Sequence, residues 1–333
     1  MKKVIVYGMG GFYSKVKEQI NNEVEIIAYA NSSVDSATSH SGKLYEGKTI
    51  LAPFEIKNEE FDCVYICTEP YNANPIYEML LNNGIPSNKI EMIWKRDAVK
   101  GYWKDYPLEV ENGFISDING VKILQKYHTD FDFVPEVFYY NTYYLDMGYE
   151  ETVVIDVGMN IGIASLWFAS KKEVVKVYGF EPFRDTYAQA IDNINLNSDE
   201  IRGKIKTFNF GLTDKNEVKK IAVSAEESGY RDVFTPASDE NSVEIECKDA
   251  GEIVGKIIAD NSGKKIILKV DTEGSEYVIF DSLQKKDCFG KIDAILMEYH
   301  NGADCLIETL KKYGYKIMLH GPKEKLGMLY AIK

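Results

Sequence analysis

Apolar residues fall along this chain in two series of short runs, each run followed by a stretch of helical character. In the first series, residues 4–7 read as a strand, Gly8-Met9-Gly10-Gly11 as a turn, and the residues up to Ile20 as a helix. Residues 24–30 and 61–68 are further strands, 75–83 a helix stopped by Gly84, and 89–94 a last strand. The second series starts at residue 153, with an apolar run that passes through a glycine turn into a helix over 163–170. It continues with a strand over 174–180, a helix over 184–196, and strands over 204–208, 265–270 and 292–297. Polar and apolar residues alternate over 217–247, predicting an inserted antiparallel ribbon, and the runs 315–319 and 328–332, joined by Gly321-Pro322, predict a hairpin. Strands alternating with helices imply parallel sheets. The expected fold class is therefore α/β, with two Rossmann-like doubly wound domains over 1–100 and 151–333 and a connecting segment over 101–150.

The turn of the second series carries the chemistry. Ile155-Asp156-Val157-Gly158-Met159-Asn160-Ile161-Gly162 ends a strand and opens a helix, and the next strand ends in Glu181. Glycines let the backbone approach a ligand, and an acid at the neighbouring strand tip can accept hydrogen bonds from two ribose hydroxyls. A dinucleotide turn, Gly-x-Gly-x-x-Gly, offers backbone N–H groups to a pyrophosphate. Here the glycines are three residues apart and Asp156 precedes them, which suits a cationic ligand, S-adenosylmethionine, better than NAD(P). The plainer alternative is that Asp156 caps the helix.

Residues from about 105 to 333 resemble the FkbM family of S-adenosylmethionine-dependent methyltransferases. The matching motifs are 155–162, Gly179-Phe180-Glu181-Pro182, Gly211-Leu212-Thr213-Asp214, 268–276 and Met297-Glu298-Tyr299-His300. Met159 stands where alanine is common in the family. The resemblance implies a class I methyltransferase sheet, of which the terminal hairpin forms the sixth and seventh strands. It also implies transfer of a methyl group to a hydroxyl of a sugar, glycan precursor or nucleotide-sugar. Asp156, Gly158, Asn160, Gly162, Glu181 and Asp271 would then bind the cofactor, with Phe210 stacking on the adenine and Gly211 and Leu212 bonding its edge. The first hundred residues resemble the small Rossmann-like domains that precede sugar-modifying enzymes.

The glycine loop of that first domain is incomplete as a dinucleotide site, because Tyr13 takes the third glycine position and the second strand ends at Asn31 instead of an acid. An NAD(P)-dependent sugar oxidoreductase is thereby disfavoured, and a nucleotide-sugar-binding partner without catalysis is the remaining rival. The net charge of −13 argues against a nucleic-acid partner. No signal peptide or membrane-length apolar run is recognisable. Cys63, Cys67, Cys247, Cys288 and Cys305 form no Cys-x-x-Cys pair and read as reduced thiols of a cytoplasmic protein, with a small-molecule or glycan acceptor and self-association as its open partnerships.

A hydroxyl becomes a nucleophile as its proton is removed, so a base near the methyl donor is expected. His300 and Asp271, at the ends of two strands, are the candidates, and Glu273, Glu298, Tyr144 and Arg231 the candidate acceptor contacts. Asp271, Glu273, Glu298 and His300 would also suit magnesium or calcium, without forming a specific metal motif. Glu276 reads as a surface or capping acid. In the connecting segment, Asn119-Gly120 between apolar runs predicts a hairpin, and the aromatic cluster after it reads either as a helix over 137–145 packed across the sheet or as tyrosines that stack on sugar rings beside the pocket.

Overall fold

The computed structural model describes residues 1–21, 24–31, 43–68, 70–95, 108–110, 113–126, 130–146, 148, 150–222 and 242–333. The chain divides into two compact units, Met1–Tyr106 and Pro107–Lys333. Described residues of the segment expected as a connector thus fold with the second unit.

The first unit is built on six strands: β1 (Lys2–Tyr7), β2 (Val24–Ala30), β3 (Leu44–Tyr45), β4 (Lys48–Leu51), β5 (Cys63–Ile66) and β6 (Ile90–Met92). Their order is β3-β4-β2-β1-β5-β6, parallel except where β3 turns back on β4. The helices Gly11–Asn21 and Pro70–Asn82 follow β1 and β5. The second helix starts five residues before Pro75, which lies inside it.

In the second unit, β7 (Leu108–Val110), β8 (Gly113–Ile118) and β9 (Val121–Gln125) form a three-stranded antiparallel sheet. Asn119 and Gly120 both take left-handed backbone conformations between β8 and β9, as the Asn-Gly turn predicts. The helix Asp130–Phe138 follows, several residues earlier than expected. The main sheet is made of β10 (Thr152–Val157), β11 (Val174–Phe180), β12 (Ile205–Phe208), β16 (Lys265–Val270), β17 (Ala294–Tyr299), β18 (Lys316–His320) and β19 (Gly327–Ile332). The short β13 (Gly211–Thr213) pairs parallel with β15 (Ser242–Asp249), and β14 (Glu217–Ala222) pairs antiparallel with β15, giving the expected ribbon.

The main sheet runs β12-β11-β10-β16-β17-β19-β18. Its first five strands are parallel, and β19 inserts antiparallel between β17 and β18, so the terminal hairpin of the class I methyltransferase sheet is present. Every residue of β10 is buried. A strand covered on both faces reads as a continuous apolar run, which is why 153–157 is so legible. Helices pack on either side and leave the carboxyl ends of β10, β11, β16 and β17 as the rim where ligands gather in such sheets.

Candidate active site

A cleft of about 310 Å³ opens at that rim. Its floor is the turn after β10. Gly158 sits at φ +79°, and a Cβ there would overlap the backbone carbonyl oxygen of Asp271, so no other residue fits between the ends of β10 and β16. Asn160 is also left-handed, and its backbone N–H donates to Glu181 Oε2 at 3.0 Å. Phe183 N–H donates to Glu181 Oε1 at 2.9 Å. Burial raises the Glu181 pKa to about 7, although these two backbone bonds pull it down. The buried side-chain oxygen of Asn160, a residue of the cleft wall, has no protein partner, which leaves an acceptor for a ligand donor. Met159 packs its sulfur against Gly179 of β11, where any Cβ would collide with it.

On the other side of β10 the wall is acidic. Asp271, Glu273 and Glu298 line it at the ends of β16 and β17, joined by Glu136 from the helix Asp130–Phe138. Burial, then the charge of Asp271, pushes Glu298 up to about 8. His300 bridges two carboxylates, with Nε2 3.2 Å from Glu273 and Nδ1 3.2 Å from Glu276. Burial alone would lower its pKa, but the bonds to Glu273 and Glu276 outweigh it and push it up to about 10. At neutral pH His300 is therefore a cation with both nitrogens engaged, and it cannot take a proton in this arrangement.

These placements revise several sequence expectations. Asp156 is fully buried and off the cleft wall, with Ser165 Oγ donating to Oδ2 at 2.6 Å and Lys269 Nζ 3.0 Å from Oδ1. Its negative charge is already met inside the protein. Gly162 begins the helix Ile163–Ala169 in a left-handed conformation and does not line the cleft. Phe210 packs against Phe180 and Phe208, with Lys248 over its ring, so it is occupied where adenine stacking was expected. Gly211 and Leu212 do line the cleft. Tyr144 is 59% exposed and off the wall, whereas its neighbour Tyr143 is 3% exposed, lines the cleft and donates to Asp271 Oδ2 at 3.0 Å. Glu276 is fully buried, not superficial; its Oε1 accepts the backbone N–H groups of Thr272 and Gly274 and so braces the loop before its helix. Arg231 lies outside the described residues. Ligand atoms of Asp271, Glu273 and His300 lie within 4.8 Å of one another. That spacing would suit a cation, but His300 already satisfies both of its nitrogens on carboxylates.

Residues 156–317 match the family model described as the methyltransferase FkbM domain. The chain carries an FkbM methyltransferase domain. Residues 1–91 match a second model, C2185-like, N-terminal. A protein described as AMB antimetabolite synthetase AmbE, from Pseudomonas aeruginosa, is 24% identical over 51% of this chain, which spans only 10% of that relative's length. Among solved structures, methyltransferase FkbM from Methylobacillus flagellatus is 15% identical, covers 99% of this chain and 90% of its own, and superposes with a TM-score of 0.42. A putative tRNA (m1A22) methyltransferase of Streptococcus pneumoniae, in complex with S-adenosylmethionine, covers 55% of this chain and 66% of its own at 10% identity and a TM-score of 0.33.

The FkbM domain is a methyltransferase, and S-adenosylmethionine is the donor that its cleft fits: a glycine turn without room for a side chain, an orphaned Asn160 oxygen and a buried acid at the next strand tip. Lys269, which falls within the 268–276 motif but has no role assigned from sequence, lines this site. A lone lysine inside the apolar run Ile266-Ile267-Leu268-Lys269-Val270 was the available signal, because a buried cation demands partners.

Proposed function

We propose that the protein methylates a hydroxyl of a sugar, glycan precursor or nucleotide-sugar. The observation that carries this reading is the division of the rim, with Glu181 on one side of β10 and Asp271, Glu273 and Glu298 on the other. Carboxylates are pure acceptors when ionised, and a row of them suits an acceptor rich in hydroxyl donors. Bound S-adenosylmethionine supplies an electrophilic methyl group. Glu181 and the Asn160 side chain hold the cofactor, with Gly211 and Leu212 offering backbone groups to its base.

On the acceptor side, Asp271 orients the hydroxyl and Glu298 takes its proton. A carboxylate pushed up to about 8 is a stronger base than an ordinary one once ionised. His300 keeps Glu273 and the loop after β16 in place as a cation, so the base expected at His300 moves to Glu298 and Asp271 keeps an orienting role. The carboxylates and His300 need no bound metal for these tasks.

The test is to incubate the protein with S-adenosylmethionine and a panel of nucleotide-sugars and free glycosides. Release of S-adenosylhomocysteine together with a mass gain of one methylene on an acceptor is the expected result. Glu298→Gln should keep cofactor binding and lose transfer. Methylation of amines or thiols in place of hydroxyl acceptors would refute the assignment.

A further inference from the structure

Lys269 is 2% exposed, on a strand otherwise apolar from Ile266 to Val270. It pairs in register with Asp156 across β10 and β16, which puts the two side chains on the same face of the sheet. Its ammonium nitrogen lies 3.0 Å from Asp156 Oδ1, 3.8 Å from Asp271 Oδ2 and 5.4 Å from the centre of the Tyr143 ring. It also donates to the backbone carbonyl of Gly158 at 2.6 Å. That last bond is the unusual one. A lysine buried only to neutralise Asp156 has no need of a carbonyl, and this carbonyl belongs to the glycine on which the whole turn pivots.

We propose that Lys269 is a positioning residue for the cofactor turn: it pins the Gly158 carbonyl from beneath the cleft and ties that turn to Asp271 and Tyr143 on the acceptor side. The Gly158 peptide is thereby held from two directions, since its N–H donates to the Phe180 carbonyl at 3.1 Å. With that peptide fixed, the following residues present the Asn160 N–H to Glu181 and the Asn160 side chain to the cleft. Ser165 completes the support by holding the second oxygen of Asp156. The same ammonium faces Asp271 Oδ2, the oxygen that also accepts the Tyr143 hydroxyl, so the two sides of the rim share one buried cation. This inference rests on the cleft being the S-adenosylmethionine site.

The competing explanation, a buried ion pair that serves the fold alone, makes a different forecast. Lys269→Met on its own strands an anion in the core and should destabilise the protein. Combining it with Asp156→Asn removes both charges, and neutralising a buried pair commonly restores stability. The doubly substituted protein should regain a wild-type melting temperature yet bind S-adenosylhomocysteine at least about tenfold more weakly by calorimetry, because the Gly158 carbonyl has lost its donor. Wild-type affinity in the refolded double variant would overturn the proposal. Should that variant fail to fold, lysine-selective NMR of the wild-type protein decides the matter: the slowly exchanging buried ammonium signal should shift when S-adenosylhomocysteine is added, and an unmoved signal at saturation would overturn the proposal. Wild-type protein that does not bind S-adenosylhomocysteine at all would defeat the cofactor reading itself, and the proposal with it, before any variant is compared.

Discussion

Each unit contains a strand that runs through a glycine turn into a helix, β1 in the first and β10 in the second, and the space beside the two turns is used differently. In the first unit, Tyr13 is fully buried in the helix that follows Gly8, and its hydroxyl meets Tyr29 at 2.7 Å and Glu46 at 3.2 Å. The rings of Tyr13, Tyr29 and Tyr45 stand edge to face, and Lys17 closes the group on Glu46. In the second unit the equivalent place is a cleft, with Glu181 at the tip of the next strand and a buried lysine beneath. The same backbone device is therefore filled by a tyrosine cluster in one case and borders an open cleft in the other. A glycine turn licenses close approach; the side chains around it decide what approaches.

A methyl group placed on each turn should separate their roles. Gly158→Ala forces a Cβ into the Asp271 carbonyl and strains a left-handed backbone, so it should cost on the order of 3 kcal/mol or more and abolish binding of S-adenosylhomocysteine. Gly8→Ala, whose Cβ would lie 2.7 Å from the Cys67 carbonyl and from the Thr68 methyl, should lower stability by about 1–3 kcal/mol and leave that binding intact. Denaturant unfolding and calorimetry on both variants check the pair. Equal loss of binding in both would show that the first turn also serves the cofactor.

Emptying the tyrosine cluster comes next. Tyr13→Ala should cost about 3 kcal/mol through the cavity it leaves. It should still show no heat with NAD, because the second strand ends at Asn31 where a ribose-binding acid would be needed. Binding of NAD to that variant would mean that the tyrosine alone separates the two units.

A smaller effect is expected at Glu181. Its pKa of about 7 lies above the ordinary carboxylate value, so between those two values the folded protein holds a proton that the unfolded chain has released. Stability of the unliganded protein should therefore fall as pH rises through that window. Ribose hydroxyls donate to the anion, so affinity for S-adenosylhomocysteine should instead rise with pH through about 7. Glu181→Gln should weaken binding on the order of 10- to 100-fold and remove the pH step. A pH-dependent affinity that survives in the variant would assign the step to another group.

The smallest prediction concerns two adjacent tyrosines. Tyr143→Phe loses the bond to Asp271 and should cost about 1 kcal/mol, whereas Tyr144→Phe should be silent in the same denaturation experiment. Burial raises Tyr143 far above its ordinary pKa, with the charge of Asp271 adding to the rise, so it stays a neutral donor at working pH.

That one-residue difference shows what was legible in the chain and what was not. The strands β10, β11 and β16 stand out as apolar stretches broken by only one or two charged residues, Asp156 in β10, Lys176 in β11 and Lys265 and Lys269 in β16. The same property hid which way Asp156 points, since no polar alternation marks a face. Tyr143 and Tyr144 lie in turns beyond the helix Asp130–Phe138, where no periodicity tells the inward ring from the outward one. The packing of Phe210 is not legible in the chain, because its partners, Phe180 and Phe208, come from different strands and meet only in the folded sheet. The hairpin of β3 and β4, of two and four residues, was too short to register. His300 lies on the rim, as its place after β17 implies, but sequence gives no sign of the two carboxylates that hold its nitrogens, Glu273 and a buried Glu276 that sequence alone would leave at the surface.

The position of β19 has a consequence for how the chain folds. β18 comes earlier in the sequence, yet within the main sheet it pairs only with β19, which itself lies between β18 and β17. Until β19 is made and docked, β17 offers a bare edge of unpaired N–H and C=O groups, the kind of edge that recruits foreign strands. The acidic rim carried by Glu298 and His300 at the end of β17 would then be among the last parts of the molecule to become rigid, and delays in closing that edge should appear as slow folding or aggregation sooner than as a defect in cofactor chemistry.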